Sequence, residues 1–152
     1  MQRGAEPGLF EAIGICFSKY AVLTGRAPRS EFWWWSLFQF LIAASFDAMI
    51  IPQELRDLAS TLATGVIPPL DSTHATVQLI GTLFSLALFL PTLAVTVRRL
   101  HDIGKSGWWY FYGIIPLLGW FTMLVWLCRK GTEGGNRFGA DPLQPGLFRN
   151  IA

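Results

Sequence analysis

The chain has 152 residues, of which 52% are hydrophobic and only 14% charged, and its mean hydropathy is +0.41. A soluble domain carries roughly 25% charged residues; this composition cannot coat a small globule, which argues against a soluble enzyme, and it excludes disorder. A net charge of +2 is too small to indicate a nucleic-acid partner, and the two cysteines, Cys16 and Cys128, form neither a metal signature nor a disulfide framework.

Residues 1–31 hold seven charges ahead of the first apolar segment. A secretory leader has a short basic stretch and a brief apolar one, so this first segment is expected to stay in the protein as an anchor. Leu9, Ile13, Cys16, Phe17 and Tyr20 recur at intervals of three and four, which predicts a short amphipathic helix over about Pro7–Tyr20. It is expected to lie in the membrane interface or against other helices. Gly25 and Pro28 interrupt it, and Arg26 and Arg29 stand just before Trp33, Trp34 and Trp35.

Three charge-poor segments follow, over residues 32–51, 75–97 and 107–128. About 20 helical residues cross a bilayer core, so each is long enough to span. The expected fold is all-α: a polytopic helical membrane protein with three long apolar segments and the short N-terminal helix. In the first segment the tryptophans suit the headgroup region, and Asp47 is the single charge. Pro91 interrupts the second. The third carries Pro116 and Gly119 at its middle, which fits either a kinked span or the turn of a re-entrant hairpin.

The connecting stretches are polar. Residues 52–74 contain Glu54, Arg56, Asp57, Asp71 and His74, with a turn expected at Pro68–Pro69. Residues 98–106, RRLHDIGKS, are the densest polar cluster. Arg98 and Arg99 complement the C-terminal dipole of the second long helix, and with Lys105 they offer charge for lipid headgroups or for topological anchoring. His101 beside Asp102 permits a general-base reading, but adjacent residues orient each other poorly and no nucleophile accompanies them. The tail, residues 129–152, is Gly-rich, lacks the order of a phosphate-binding loop, and carries Asn136, Arg137, Phe138 and Asp141 as a candidate docking motif.

Four blocks, GRAPRSEFWWW, VRRLHDIGKSGWW, IPLLGW and GTEGGNRFGADP, resemble the DUF805 family of small bacterial inner-membrane proteins over roughly residues 11–142. The resemblance implies a multi-pass protein of the bacterial inner membrane and carries no activity with it. The stretch from about Arg56 to Asp71 looks longer than in many family members.

Basic residues number four before the first segment, one between the first and second, three between the second and third, and four after it. The positive-inside rule therefore puts the N-terminus in the cytoplasm. The reading expected for the third segment is a span; the charge rule taken alone prefers a hairpin. The leading functional expectation is a non-enzymatic component that uses the lipid bilayer as its environment. It would bind anionic headgroups, or a partner membrane protein or second copy, through Arg26, Arg29, Arg98, Arg99, His101, Asp102 and Lys105. A small oligomeric transport protein is the alternative, with Gln39, Asp47 and Gln78 as the distinctive polar groups inside apolar segments. A membrane enzyme using His101 and Asp102 comes third. No cofactor or metal set is expected.

Overall fold

The computed structural model describes residues 5–67 and 72–144; the Pro68–Pro69 turn, Asp71 and Phe148 lie outside them. The described residues form α1 (Leu9–Ser18), α2 (Arg29–Thr64), α3 (Ser72–Asp102), a 3₁₀ helix (Gly107–Ile114) and α4 (Leu118–Cys128). Among them there is no strand, only the isolated pair Asn136–Gly139. Two units can be distinguished, one running to Ser36 and resuming at Leu90, the other Leu37–Phe89.

Helices α2 and α3 are the two that are long and apolar enough to cross a membrane. Leu41, Met49, Leu83 and Leu86 are all exposed, and only 6% of the most apolar stretch of α2 is buried by the protein. A core helix of a soluble protein would hide such residues. Helices this apolar, and in α2 this uncovered, are consistent with lipid as their solvent and so with a helical membrane protein. Both helices outrun their apolar stretches. Residues 52–64, expected as a loop, continue α2, and the RRLHD cluster forms the last turn of α3 rather than a connection. In the unit Leu37–Phe89 the two helices meet at Phe46 and Phe84, whose rings lie 6.2 Å apart.

In the other unit, α1 buries Ala12, Ile15 and Cys16. This face is rotated from the expected one, since Phe17 and Tyr20 are exposed. Phe17 still meets the edge of Trp35 at 5.3 Å, and Trp35 is wholly buried, its indole N–H donating to Thr92 Oγ1 at 3.2 Å. The three tryptophans therefore divide: Trp33 and Trp34 remain exposed, and Trp35, on another side of the helix, belongs to the core.

The third apolar segment corrects the expectation of three spans. A helix over residues 107–128 would separate its ends by about 33 Å. Instead the chain reverses at residues 115–117. Leu117 has φ 60° and ψ −67°, and Leu118 N–H donates to Pro116 C=O at 2.8 Å, closing a γ-turn. Trp109 then meets Trp126 edge to face at 5.3 Å, and Tyr112 stacks on Trp126 at 5.8 Å. The far end of the segment returns to the end of α3: Thr132 N–H donates to Asp102 C=O at 2.9 Å, and Arg99 Nε donates to Leu127 C=O at 3.1 Å. The segment is a hairpin, and Pro116 and Gly119 mark its tip. A Cβ on Gly119 would run into Tyr112 C=O, so only glycine allows the two legs to close there.

Gly119→Ala should therefore lower thermal stability in detergent by about 1–3 kcal/mol. Leu117→Gly, which relieves the positive φ, should leave stability unchanged or raise it. A melting temperature unchanged by Gly119→Ala would contradict the closed hairpin.

Candidate functional site

The end of α3 gathers most of the polar residues that the sequence singles out. The helix closes with Lys105 N–H donating to Leu100 C=O at 2.9 Å and Gly104 N–H donating to His101 C=O at 3.0 Å. This brings the hairpin, the segment before α2 and the tail onto one turn of helix.

Asp102 is the centre of the cluster. Arg26 Nε donates to its Oδ1 at 3.0 Å, and Arg99 Nη1 donates to its Oδ2 at 2.6 Å. The remaining guanidinium donors reach backbone carbonyls: Arg26 those of Thr132 and Gly134, Arg99 those of Leu127 and Arg129. All three side chains are buried. Two cations against one carboxylate leave a surplus positive charge, which the carbonyls and the C-terminal dipole of α3 offset. Gly131 passes so close to Asp102 that a Cβ there would overlap the carboxylate.

Arg98 faces a different way and pairs with Glu31 at 3.0 Å, with both side chains almost fully buried. Cys16 adjoins this pair, and burial first, then the Glu31 carboxylate, push its thiol up to about 12. A thiol so protonated is a packing group rather than a nucleophile.

His101 is half-buried. Its Nδ1 lies 3.1 Å from Gly25 C=O, and its ring stacks on Phe138 at 4.0 Å. Because a carbonyl only accepts, Nδ1 is assigned the proton and Nε2 is left as the acceptor of the neutral ring. Asp102, committed to two arginines, does not orient it. Lys105 lies over the rings of Trp126 and Trp109, at 4.1 and 5.1 Å. Arg29 is exposed at the start of α2 and belongs to the rim rather than the buried cluster.

The tail docks on the same turn. Asn136 Nδ2 donates to His101 C=O at 2.9 Å, and Arg137 Nη2 donates to Gly104 C=O at 3.1 Å. Asp141 is buried and accepts from Gly134 N–H at 3.1 Å and Leu143 N–H at 3.0 Å. Among the described residues no group of His, Cys, Asp or Glu is arranged to hold a metal ion. The sequence reading did not single out Glu31 or Thr132, and it took Gly131 only as part of a motif block. Glu31 did carry a signal, a carboxylate immediately before an apolar run; the roles of Gly131 and Thr132 depend on Asp102, which no local pattern places beside them.

The blocks that carry the resemblance are the ones that meet here: residues 25–35 supply Arg26 and Glu31, residues 97–109 the end of α3, and residues 131–142 the docked tail. The profile of the family described as "Protein of unknown function (DUF805)" matches residues 20–140. The chain belongs to the DUF805 family. It is 34% identical to the inner membrane protein YhaI of Escherichia coli (strain K12) over 125 residues, covering 81% of this chain and 87% of that protein. It is 33% identical to the inner membrane protein YhaH of the same organism over 127 residues, covering 83% of this chain and 92% of that protein. No solved structure matches the chain. In this DUF805 protein the motif arginines are thus structural groups first, since Arg26, Arg98 and Arg99 each meet a carboxylate inside the fold.

Asp102→Asn or Arg26→Ala should destabilise the protein by about 3–5 kcal/mol, because each leaves a buried charge without its partner. Thermal melts in detergent measure this. Arg26→Lys should recover only part of the loss, since an ammonium cannot serve the carboxylate and two carbonyls in one plane.

Proposed function

We propose that this protein is a non-enzymatic component of the bacterial inner membrane that holds an anionic lipid at the hairpin end of α3. The observation that carries the reading is a groove of 460 Å³ walled by Leu93, Val97, Trp108 and Phe111, with Thr24, His101 and Ser106 along it. Apolar walls suit an acyl chain, and a few polar groups suit the glycerol and headgroup. Gly107 and His101 both line the groove, and a Cβ on Gly107 would lie 3.6 Å from His101 Nε2. Arg137, over the Phe138 ring that stacks on His101, and Lys105, beside Ser106, supply positive charge for a phosphate. The headgroup contacts are therefore assigned to His101, Lys105 and Arg137, with Arg29 on the rim, and not to the buried arginines. A purely catalytic role for His101 and Asp102 has no geometric support, because Asp102 serves Arg26 and Arg99.

The inner-membrane assignment follows the two Escherichia coli relatives. With the third segment a re-entrant hairpin, eleven basic residues fall on the side of the N-terminus and one, Arg56, on the other. That asymmetry supports an N-terminus, hairpin ends and tail all in the cytoplasm.

Two measurements test this reading. In intact cells a membrane-impermeant thiol reagent should label Ser60→Cys and spare Glu133→Cys; the opposite pattern reverses the orientation. In native mass spectrometry the purified protein should retain phosphatidylglycerol in preference to phosphatidylethanolamine. Thr24→Trp, which fills the groove, should cut that retention roughly tenfold, and unchanged retention would refute the lipid site.

A further inference from the structure

The three distinctive polar side chains of the apolar segments are scattered in sequence, at Gln39, Asp47 and Gln78. In the unit Leu37–Phe89 they line one groove between α2 and α3, with a volume of 640 Å³. Thr82 and Ser85 join them. Thr82 donates its hydroxyl proton to Gln78 C=O at 2.8 Å, and Ser85 donates its own to Gly81 C=O at 2.9 Å, so both oxygens face any ligand as acceptors. No Lys, Arg or His lines the groove, and among the described residues no cation pairs with Asp47.

Asp47 stands within the first apolar segment, toward its far end. Asp47 lies fourteen residues, about 21 Å of helix, beyond Trp33, and six residues, about 9 Å, before Gln53. An ionisable group inside an apolar span is expensive and normally has a partner or a purpose. The groove is the size of a small-molecule site, its walls include Phe40 and Phe46, and its polar groups are all acceptors apart from the two amides.

We propose that this groove is a binding site for a monovalent organic cation with an apolar, hydrogen-bond-donating body. Asp47 supplies the countercharge, Thr82 and Ser85 accept from the ligand's N–H groups, and the aromatic and aliphatic walls take its flat body. The site is separate from the lipid groove of the other unit and does not depend on it.

Ethidium, a planar cation with two amino groups, is a suitable probe. Fluorescence titration of the full-length protein in lipid nanodiscs, corrected with empty nanodiscs, should give saturable binding. Asp47→Asn should weaken it roughly tenfold or more, and Asp47→Glu should retain most of it. Ala43→Phe, which narrows the groove one turn from Asp47 without removing the charge, should also weaken it. Uncharged phenanthridine should not compete. Because Asp47 and Ala43 are exposed, both variants should keep the parent's helical circular dichroism and melting temperature. Equal ethidium affinity in folded Asp47→Asn, or no saturable binding by the parent protein, would overturn the proposal. So would quantitative disulfide cross-linking of Ser85→Cys between copies, because the groove would then be filled by a second chain.

Discussion

Much of the unit that contains both chain ends depends on the carboxylate of Asp102. It binds Arg26 from the segment before α2 and Arg99 from α3, and those guanidinium groups bind the carbonyls of Leu127, Arg129, Thr132 and Gly134. One buried anion thus ties together three stretches of chain distant in sequence: the segment before α2, the end of α3 and residues 127–134. The arrangement is specific because it is demanding: each donor has one acceptor position, and any displacement leaves a charge desolvated without compensation. The close passage of Gly131 beside Asp102 reflects the same demand.

The knot also explains the hairpin. Once Arg99 holds the carbonyls of Leu127 and Arg129, the apolar stretch between Ser106 and Arg129 must begin and end at one place. It meets that condition by reversing at Leu117, with a strained φ, and by packing Trp109 and Tyr112 on Trp126. Length and hydropathy argue for a span, but they describe only what a segment is able to do. The contacts of Arg99 with Leu127 and Arg129 bring its far end back to α3.

The two units use polarity in opposite ways. Around Asp102 the charges of Arg26 and Arg99 are taken up by partners within the protein. Around Asp47 the polar groups converge on an open groove with no cation among its walls. A fold this small in a membrane gains little by placing a carboxylate where it stabilises nothing, and this contrast separates a structural cluster from a candidate binding site.

Much was legible from the residues alone. The charge-poor stretches announced a helical membrane protein, because lipid tolerates few other backbones. The four motif blocks announced the family. The tail motif Asn136, Arg137 and Phe138 was recognisable as a docking element because an exposed Phe138 would be unfavourable. Three things needed the tertiary structure. Arg98 and Arg99 are legible in sequence only as positive charge at a helix end; that Glu31 and Asp102 stand opposite them is decided by the fold, since sequence carries no sign of which carboxylate an arginine will meet. Trp35 read as interfacial like Trp33 and Trp34 until Thr92 and Phe17 closed around it. The hairpin, and the meeting of Gln39, Asp47 and Gln78 in one groove, were decided by pairings between residues far apart in the chain. Local periodicity records which side of a helix a residue occupies, and only packing determines what stands on the other side of it.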